Sequence, residues 1–278
     1  MSTTPEQAPE QSPGGRHDSR PARIGIQLQP QHAQYPAIRA AAAKVEEMGA
    51  DVAFNWDHFY PLYGEPEGLH FECWTMLAAW AEATSRIEIG ALVSCNSYRN
   101  PELLADMART VDHISAHDAG TGRLVLGIGS GWFEKDYDEY GYEFGTAGGR
   151  LDKLRDDLPR IESRLGKLNP APTRKIPVLI GGGGEKKTLR LVAKHADIWH
   201  TFGDVETFTR KSAVLDERCA EIGRDPGEIE RSVGVETVED AETMFAAGAR
   251  LFTIGVGGPD YDTAVLADLI AWRDGKNA

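Results

Sequence analysis

The sequence predicts a (β/α)8 TIM barrel. Short apolar runs of strand length alternate with amphipathic segments of helix length from residue 23 onward. Eight such units fill about 250 residues, the usual count and size for this architecture. The most glycine-rich turn follows the fifth strand, whereas a doubly wound open sheet carries its glycine turn early in the chain.

Residues 24–29 read as the first strand and 36–48 as an Ala-rich helix stopped by Gly49. The second strand, 51–55, runs into Trp56, Asp57, His58 and Phe59, and a Gly- and Pro-rich loop leads to a helix over 71–84. The third strand covers 87–93. The helix at 101–115 opens on a proline, whose fixed φ suits a first turn. Residues 123–128 form the fourth strand and enter Gly129, Ser130 and Gly131. Residues 132–149 read as a long loop, and 150–165 as a helix. The fifth strand is 176–180, then come four glycines and a helix over 188–195. Strands at 197–201, 230–235 and 250–256 alternate with helices at 205–222, 238–247 and 260–273.

Composition narrows the function classes. The 278 residues are 41% apolar, and no run approaches the roughly 20 apolar residues of a membrane helix. Thirty basic against 43 acidic residues give a net charge of −13, which argues against a nucleic-acid partner. Cys73, Cys95 and Cys219 are far apart and lack metal-ligand spacing, as expected of reduced thiols in a cytoplasmic protein. Residues 1–22, rich in Pro, Gln, Ser and Gly, read as a disordered tail before a single barrel domain over 23–278.

In a barrel, chemistry is expected in the loops leaving the C-terminal strand ends. Those loops carry Gln27 and Gln29, Asp57 and His58, Ser94, Cys95 and Asn96, Ser130 and Gly131. They continue with Gly181, Gly182, Gly183 and Gly184, then His200, Glu236 and the run Gly255–Gly258. Trp56, Trp132 and Trp199 offer aromatic walls. Backbone without side chains approaches a ligand closely, and a helix start adds partial positive charge, so the four glycines suit a phosphate. An anion there also offsets Lys186, Lys187 and Arg190 at the start of the following helix, where the dipole disfavours cations. Such a mouth takes a flat, partly apolar ring with a phosphate tail. No metal site is expected. The acidic run 134–143 reads as a solvated loop whose tyrosines are placed to close over a substrate.

An ordered set of motifs carries a resemblance. It comprises Asp57-His58-Phe59, Ile89-Gly90-Ala91-Leu92-Val93-Ser94 with Tyr98-Arg99-Asn100-Pro101, Gly127-Ile128-Gly129-Ser130-Gly131-Trp132, Ile180-Gly181-Gly182-Gly183-Gly184 and Ala196-Asp197-Ile198-Trp199. With it the chain resembles the luciferase-like flavin and deazaflavin oxidoreductases, in the branch assigned to coenzyme F420. The resemblance implies a luciferase-like TIM barrel that holds the cofactor ring at its C-terminal mouth. It implies a non-proline cis peptide backing the ring, by position at Leu92–Val93. It implies ring-side contacts at Asp57 and His58, at Leu92, Val93, Ser94, Cys95 and Asn96, and at Trp132. Phosphate and side-chain contacts are implied at Ser130, Gly131, Ile180, Gly181, Gly182, Gly183 and Gly184. Relatives are often dimers, so a homodimer is implied as well.

Two departures matter. Sugar-phosphate dehydrogenases of this superfamily carry a glutamate where Trp132 stands, so their acid is not inherited and a glucose-6-phosphate substrate is not expected. The connection from residue 165 to 176 is also short, where many relatives insert a longer segment that shapes the substrate site. The expected reaction is hydride transfer between deazaflavin C5 and a small organic substrate, with Asp57 or His58 as the proton relay. Three alternatives stay open: an FMN-dependent monooxygenase, a non-catalytic F420-binding protein, and a glycosidase using Asp57 and Glu236.

Overall fold

The computed structural model describes residues 20–117 and 120–278. Most of the tail expected over 1–22 lies outside the described residues. Within it, Ala22 is buried and its N–H donates to the Asn277 side chain at 2.9 Å.

The strands are β1 (Arg23–Leu28), β2 (Val52–Asn55), β3 (Glu88–Ala91), β4 (Ser94–Cys95) and β5 (Leu124–Gly129), then β6 (Val178–Gly181), β7 (Ile198–Thr201), β8 (Glu230–Gly234) and β9 (Leu251–Val256). Every ladder is parallel, in the order β3-β2-β1-β9-β8-β7-β6-β5-β4, and β3 also pairs with β5 to close the ring. β3 and β4 act as one stave, so the barrel has the eight staves expected. The third strand, expected unbroken over 87–93, is divided at Leu92–Val93, whose peptide bond is cis.

The helices are α1 (Tyr35–Met48), α2 (Cys73–Ala83), α3 (Pro101–Ala116), α4 (Glu134–Tyr140) and α5 (Ala147–Leu165), then α6 (Thr188–His195), α7 (Val205–Glu221), α8 (Val238–Ala246) and α9 (Ala264–Asn277). Three differ from expectation. The 132–149 loop contains α4, with Glu134 and Asp136 in its first turn and a left-handed Gly141 at its end. Charge alone reads this run as solvated, but Asp136 and Tyr137 are buried. α5 starts three residues early because the Thr146 side chain accepts from Gly149 N at 3.0 Å, a cap hidden by two glycines in the first turn. α9 starts late because Tyr261, at φ 45, is held out of the helix by donating to the Gln29 carbonyl at 2.8 Å.

Strand alternation divides the apolar residues into two shells. Ile24, Ile26 and Leu28 belong to the larger core shared with the helices. Val52, Phe54, Leu92, Val125, Leu179, Ile198 and Leu251 fill the barrel itself. Near its top the barrel is deliberately short of side chains. A Cβ on Gly129 or Gly181 would come within 2.7 or 2.9 Å of the Val93 side chain. Both glycines therefore make room for Val93 to point inward from the cis bulge.

Candidate active site

Successive side chains on extended chain point to opposite faces, and at the end of β2 this separates Asp57 from His58. Asp57 turns into the wall. It accepts two bonds from Arg99, at 2.5 and 2.9 Å, and one from Cys95 N at 2.9 Å. Arg99 also reaches Glu72, at 2.8 Å, the residue that caps α2. Burial works to lower the Arg99 guanidinium, but Asp57 and its other partners outweigh burial and raise it. This buried pair ties β2 to β4 and to the entrance of α3.

His58 turns toward the mouth. Its Nδ1 donates to Asp136 Oδ2 at 2.7 Å. The carboxylate that pairs with His58 comes from α4 and not from the adjacent Asp57. Asp136 is 0% exposed and also accepts from Phe59 N at 3.1 Å and Tyr98 OH at 3.0 Å. Three donors converge on it, the surroundings of a carboxylate anion. Burial first, then Cys95 and Asp136, pushes the Tyr98 hydroxyl well above its usual range, so it stays a donor. An acceptor-only carboxylate puts the His58 proton on Nδ1 and leaves the Nε2 lone pair for a ligand. The His58 ring lies edge-on to Trp56, Trp132 and Phe133, with centroids 6.2, 5.8 and 5.5 Å away. Trp56 is fixed by donating to His70 Nε2 at 2.9 Å, and burial lowers His70 to about 4, which keeps it the neutral acceptor.

The other expected contacts are sorted by what they touch. Leu92 accepts at its carbonyl from Gln27 at 2.8 Å, and Ser94 accepts from the Trp74 indole at 3.1 Å. The Cys95 thiol meets the Tyr137 hydroxyl at 3.2 Å, and the Asn96 amide donates to Asp157 at 2.9 Å. The Ser130 carbonyl lies 3.5 Å from the Tyr137 hydroxyl, and Gly131 has φ +80 with its carbonyl 3.1 Å from Arg150. Trp132 is 63% exposed.

The glycine turn contains four different jobs. Ile180 is buried in the outer core, and Gly181 makes room for Val93. Gly182 takes φ +123, a conformation side chains resist, and its carbonyl accepts from the Trp199 indole at 2.8 Å. At Gly183 a Cβ would collide with the Lys211 ammonium and lie 2.9 Å from Thr201 Oγ1, so the absent side chain makes room for the ammonium. A Cβ on Gly184 would lie 2.8 Å from the Thr188 hydroxyl. Lys211, on α7, was not singled out from sequence, since nothing distinguishes it there from any exposed helix cation.

Across the barrel from β2, His200 on β7 is 2% exposed, and its Nδ1 lies 2.8 Å from Ser232 Oγ. Its Nε2 has no partner, and burial lowers the ring to about 3, so it is neutral. Phe202 lies edge-on over it at 4.8 Å. Phe202 and Tyr63, 70% and 64% exposed, join Trp132 as large apolar side chains left in solvent around the mouth. Glu236 is exposed, and Asp57 is bound to Arg99. Among the described residues no helix is long and apolar enough to cross a membrane.

The chain is 29% identical over 174 residues to an F420-dependent glucose-6-phosphate dehydrogenase of Amycolatopsis mediterranei, covering 56% of this chain and 48% of that protein. It is 27% identical over 268 residues to a Mycobacterium tuberculosis protein assigned as a coenzyme F420-dependent oxidoreductase, covering 85% and 73%. The chain spans about half the length of several curated relatives it matches. Among solved structures, an F420-dependent secondary alcohol dehydrogenase in complex with an F420–acetone adduct aligns over 91% of this chain and 99% of that one. Its TM-score is 0.79 at 16% identity, a likeness of fold. The luciferase-like monooxygenase profile matches residues 19–251, and the chain belongs to that family.

Proposed function

We propose that the chain is an F420-dependent oxidoreductase that exchanges a hydride between deazaflavin C5 and a small organic substrate. One observation carries the reading: a single barrel mouth joins a buried histidine–carboxylate–tyrosine relay to a Cβ-free cradle holding a cation. The named functions of its relatives point the same way.

The residues fit the group. Beside Gly183 the Lys211 ammonium and the Thr201 hydroxyl come together, and they suit a tail phosphate. Val93, pointing inward over Gly129 and Gly181, offers an apolar surface to one face of a ring. When bound, F420 supplies a carbon centre that gives or takes hydride and reacts poorly with oxygen.

The chain's own part is the proton. His58 Nε2 takes it from a substrate hydroxyl, or returns it in the reverse direction, while Asp136 stabilises the imidazolium through Nδ1. Phe59 N and Tyr98 hold the Asp136 carboxylate in one orientation. Asp57 and Arg99 position the strand ends and do not touch the reacting atoms. The aromatic rim of Tyr63, Trp132 and Phe202 receives an apolar substrate and excludes water.

The test is turnover of F420 by a panel of secondary alcohols, enones and imines, followed by loss of its visible absorption. His58→Ala is expected to lower kcat by about 10²–10⁴ with cofactor binding retained. Turnover at the wild-type rate in that variant would overturn the relay.

A further inference from the structure

We propose that Lys211 is the residue that fixes the phosphate of the cofactor tail, an inference that rests on the F420 reading above. Three observations bear on it. First, the Lys211 ammonium approaches Gly183 so closely that any Cβ there would collide with it, and Thr201 Oγ1 is 2.9 Å from the same point. Thr201 is buried, its hydroxyl 3.4 Å from the Phe202 carbonyl, so a hydroxyl of fixed position and a cation converge where the chain has no side chain of its own.

Second, three neighbouring cations are already committed. Lys187 is bound to Asp152 at 2.8 Å, Arg190 to Glu221 at 2.5 Å, and Arg210 to Glu185. Among the described residues no carboxylate lies within ion-pair distance of Lys211, although the chain carries 43 acidic residues against 30 basic ones. Third, Lys211 sits on the second turn of α7, which is anchored where Asp204 accepts from Thr207 N at 2.9 Å. The ammonium is therefore delivered by a fixed helix. A compact ammonium with three rotatable donors binds a phosphodiester as a point charge.

The tail of F420 carries two kinds of anion, a phosphodiester and the carboxylates of its glutamates. The geometry assigns Lys211 to the first, because the cradle lies on the backbone at the barrel mouth and the glutamates extend beyond the phosphate.

The experiment is fluorescence titration of the full chain and of Lys211→Met with three deazaflavins. These are F420, F420-0, which keeps phospholactate but lacks glutamates, and FO, which has no tail. Removing one charge-assisted contact is expected to weaken F420 and F420-0 by about 10–100-fold and FO by less than twofold. Lys211→Arg is expected to restore part of the loss. Gly183→Ala, which pushes the ammonium out of the cradle, is expected to act in the same direction. Unchanged F420 binding in Lys211→Met overturns the proposal. So does weakening of F420 with no change in F420-0, which would assign the lysine to the glutamates. Equal weakening of FO overturns it as well, since the defect would then lie at the ring. If the wild-type chain binds neither F420 nor FO, the cofactor reading itself fails, and the inference with it.

Discussion

Replacing Asp136 by asparagine tests the relay without emptying its site. The carboxylate receives three donors, from His58 Nδ1 at 2.7 Å, Tyr98 OH at 3.0 Å and Phe59 N at 3.1 Å. Asparagine keeps one oxygen, enough for Phe59, and brings an N–H₂ where an acceptor stood. Tyr98 can rotate its hydroxyl to accept. His58 must then move its proton from Nδ1 to Nε2, which withdraws the lone pair from the mouth. One weakened buried bond costs about 1–2 kcal/mol of stability, roughly 2–8 °C in Tm for a chain of this size. The tautomer error is worth far more to turnover, about 10²–10⁴ in kcat. Binding of F420 should be unchanged, because no cradle residue is touched. Asp136→Ala strips all three donors and should cost about 3–5 kcal/mol, with Tyr98→Phe near 1 kcal/mol. The assay pairs thermal melts with kcat on whichever substrate the wild-type chain turns over. Asp136→Asn turning over at the wild-type rate, with F420 binding intact, would refute the reasoning.

Two further outcomes follow from packing and burial. His200 is lowered to about 3 in the fold and titrates near 6.5 when unfolded, so between these values the unfolded chain binds the extra proton. Its contribution is complete above pH 6.5 and is lost as pH falls toward 3. The urea midpoint of His200→Gln should therefore fall less steeply over that window than that of wild type, and parallel curves would contradict the assignment. Gly181→Ala should cost about 1–3 kcal/mol, because its Cβ would sit 2.9 Å from Val93 Cγ1. Adding Val93→Ala should recover most of that loss in a double-mutant cycle, and simple additivity would show that the two side chains do not meet.

The barrel was legible because eight alternations of period 2 and period 3.6 leave few other architectures. The site was legible only in part. His58 was found from its place at a strand end, and its true partner was missed. Asp136 is one of five acidic side chains between residues 134 and 143, and nothing in that run says which one faces inward. A signal did exist for Asp57, since neighbours on extended chain cannot both face the mouth. The four glycines look alike in sequence, yet one makes room for Val93, one supplies a left-handed turn, and one leaves space for an ammonium on a distant helix. Such division depends on which side chains arrive from elsewhere. Lys211 arrives from α7 and carries no local mark of its role.

The most direct test of the central claim is side-by-side fluorescence titration of the wild-type chain with F420 and FMN under identical conditions. The account predicts saturable F420 binding at concentrations where FMN produces no change. FMN binding more tightly than F420, or neither binding, would contradict it.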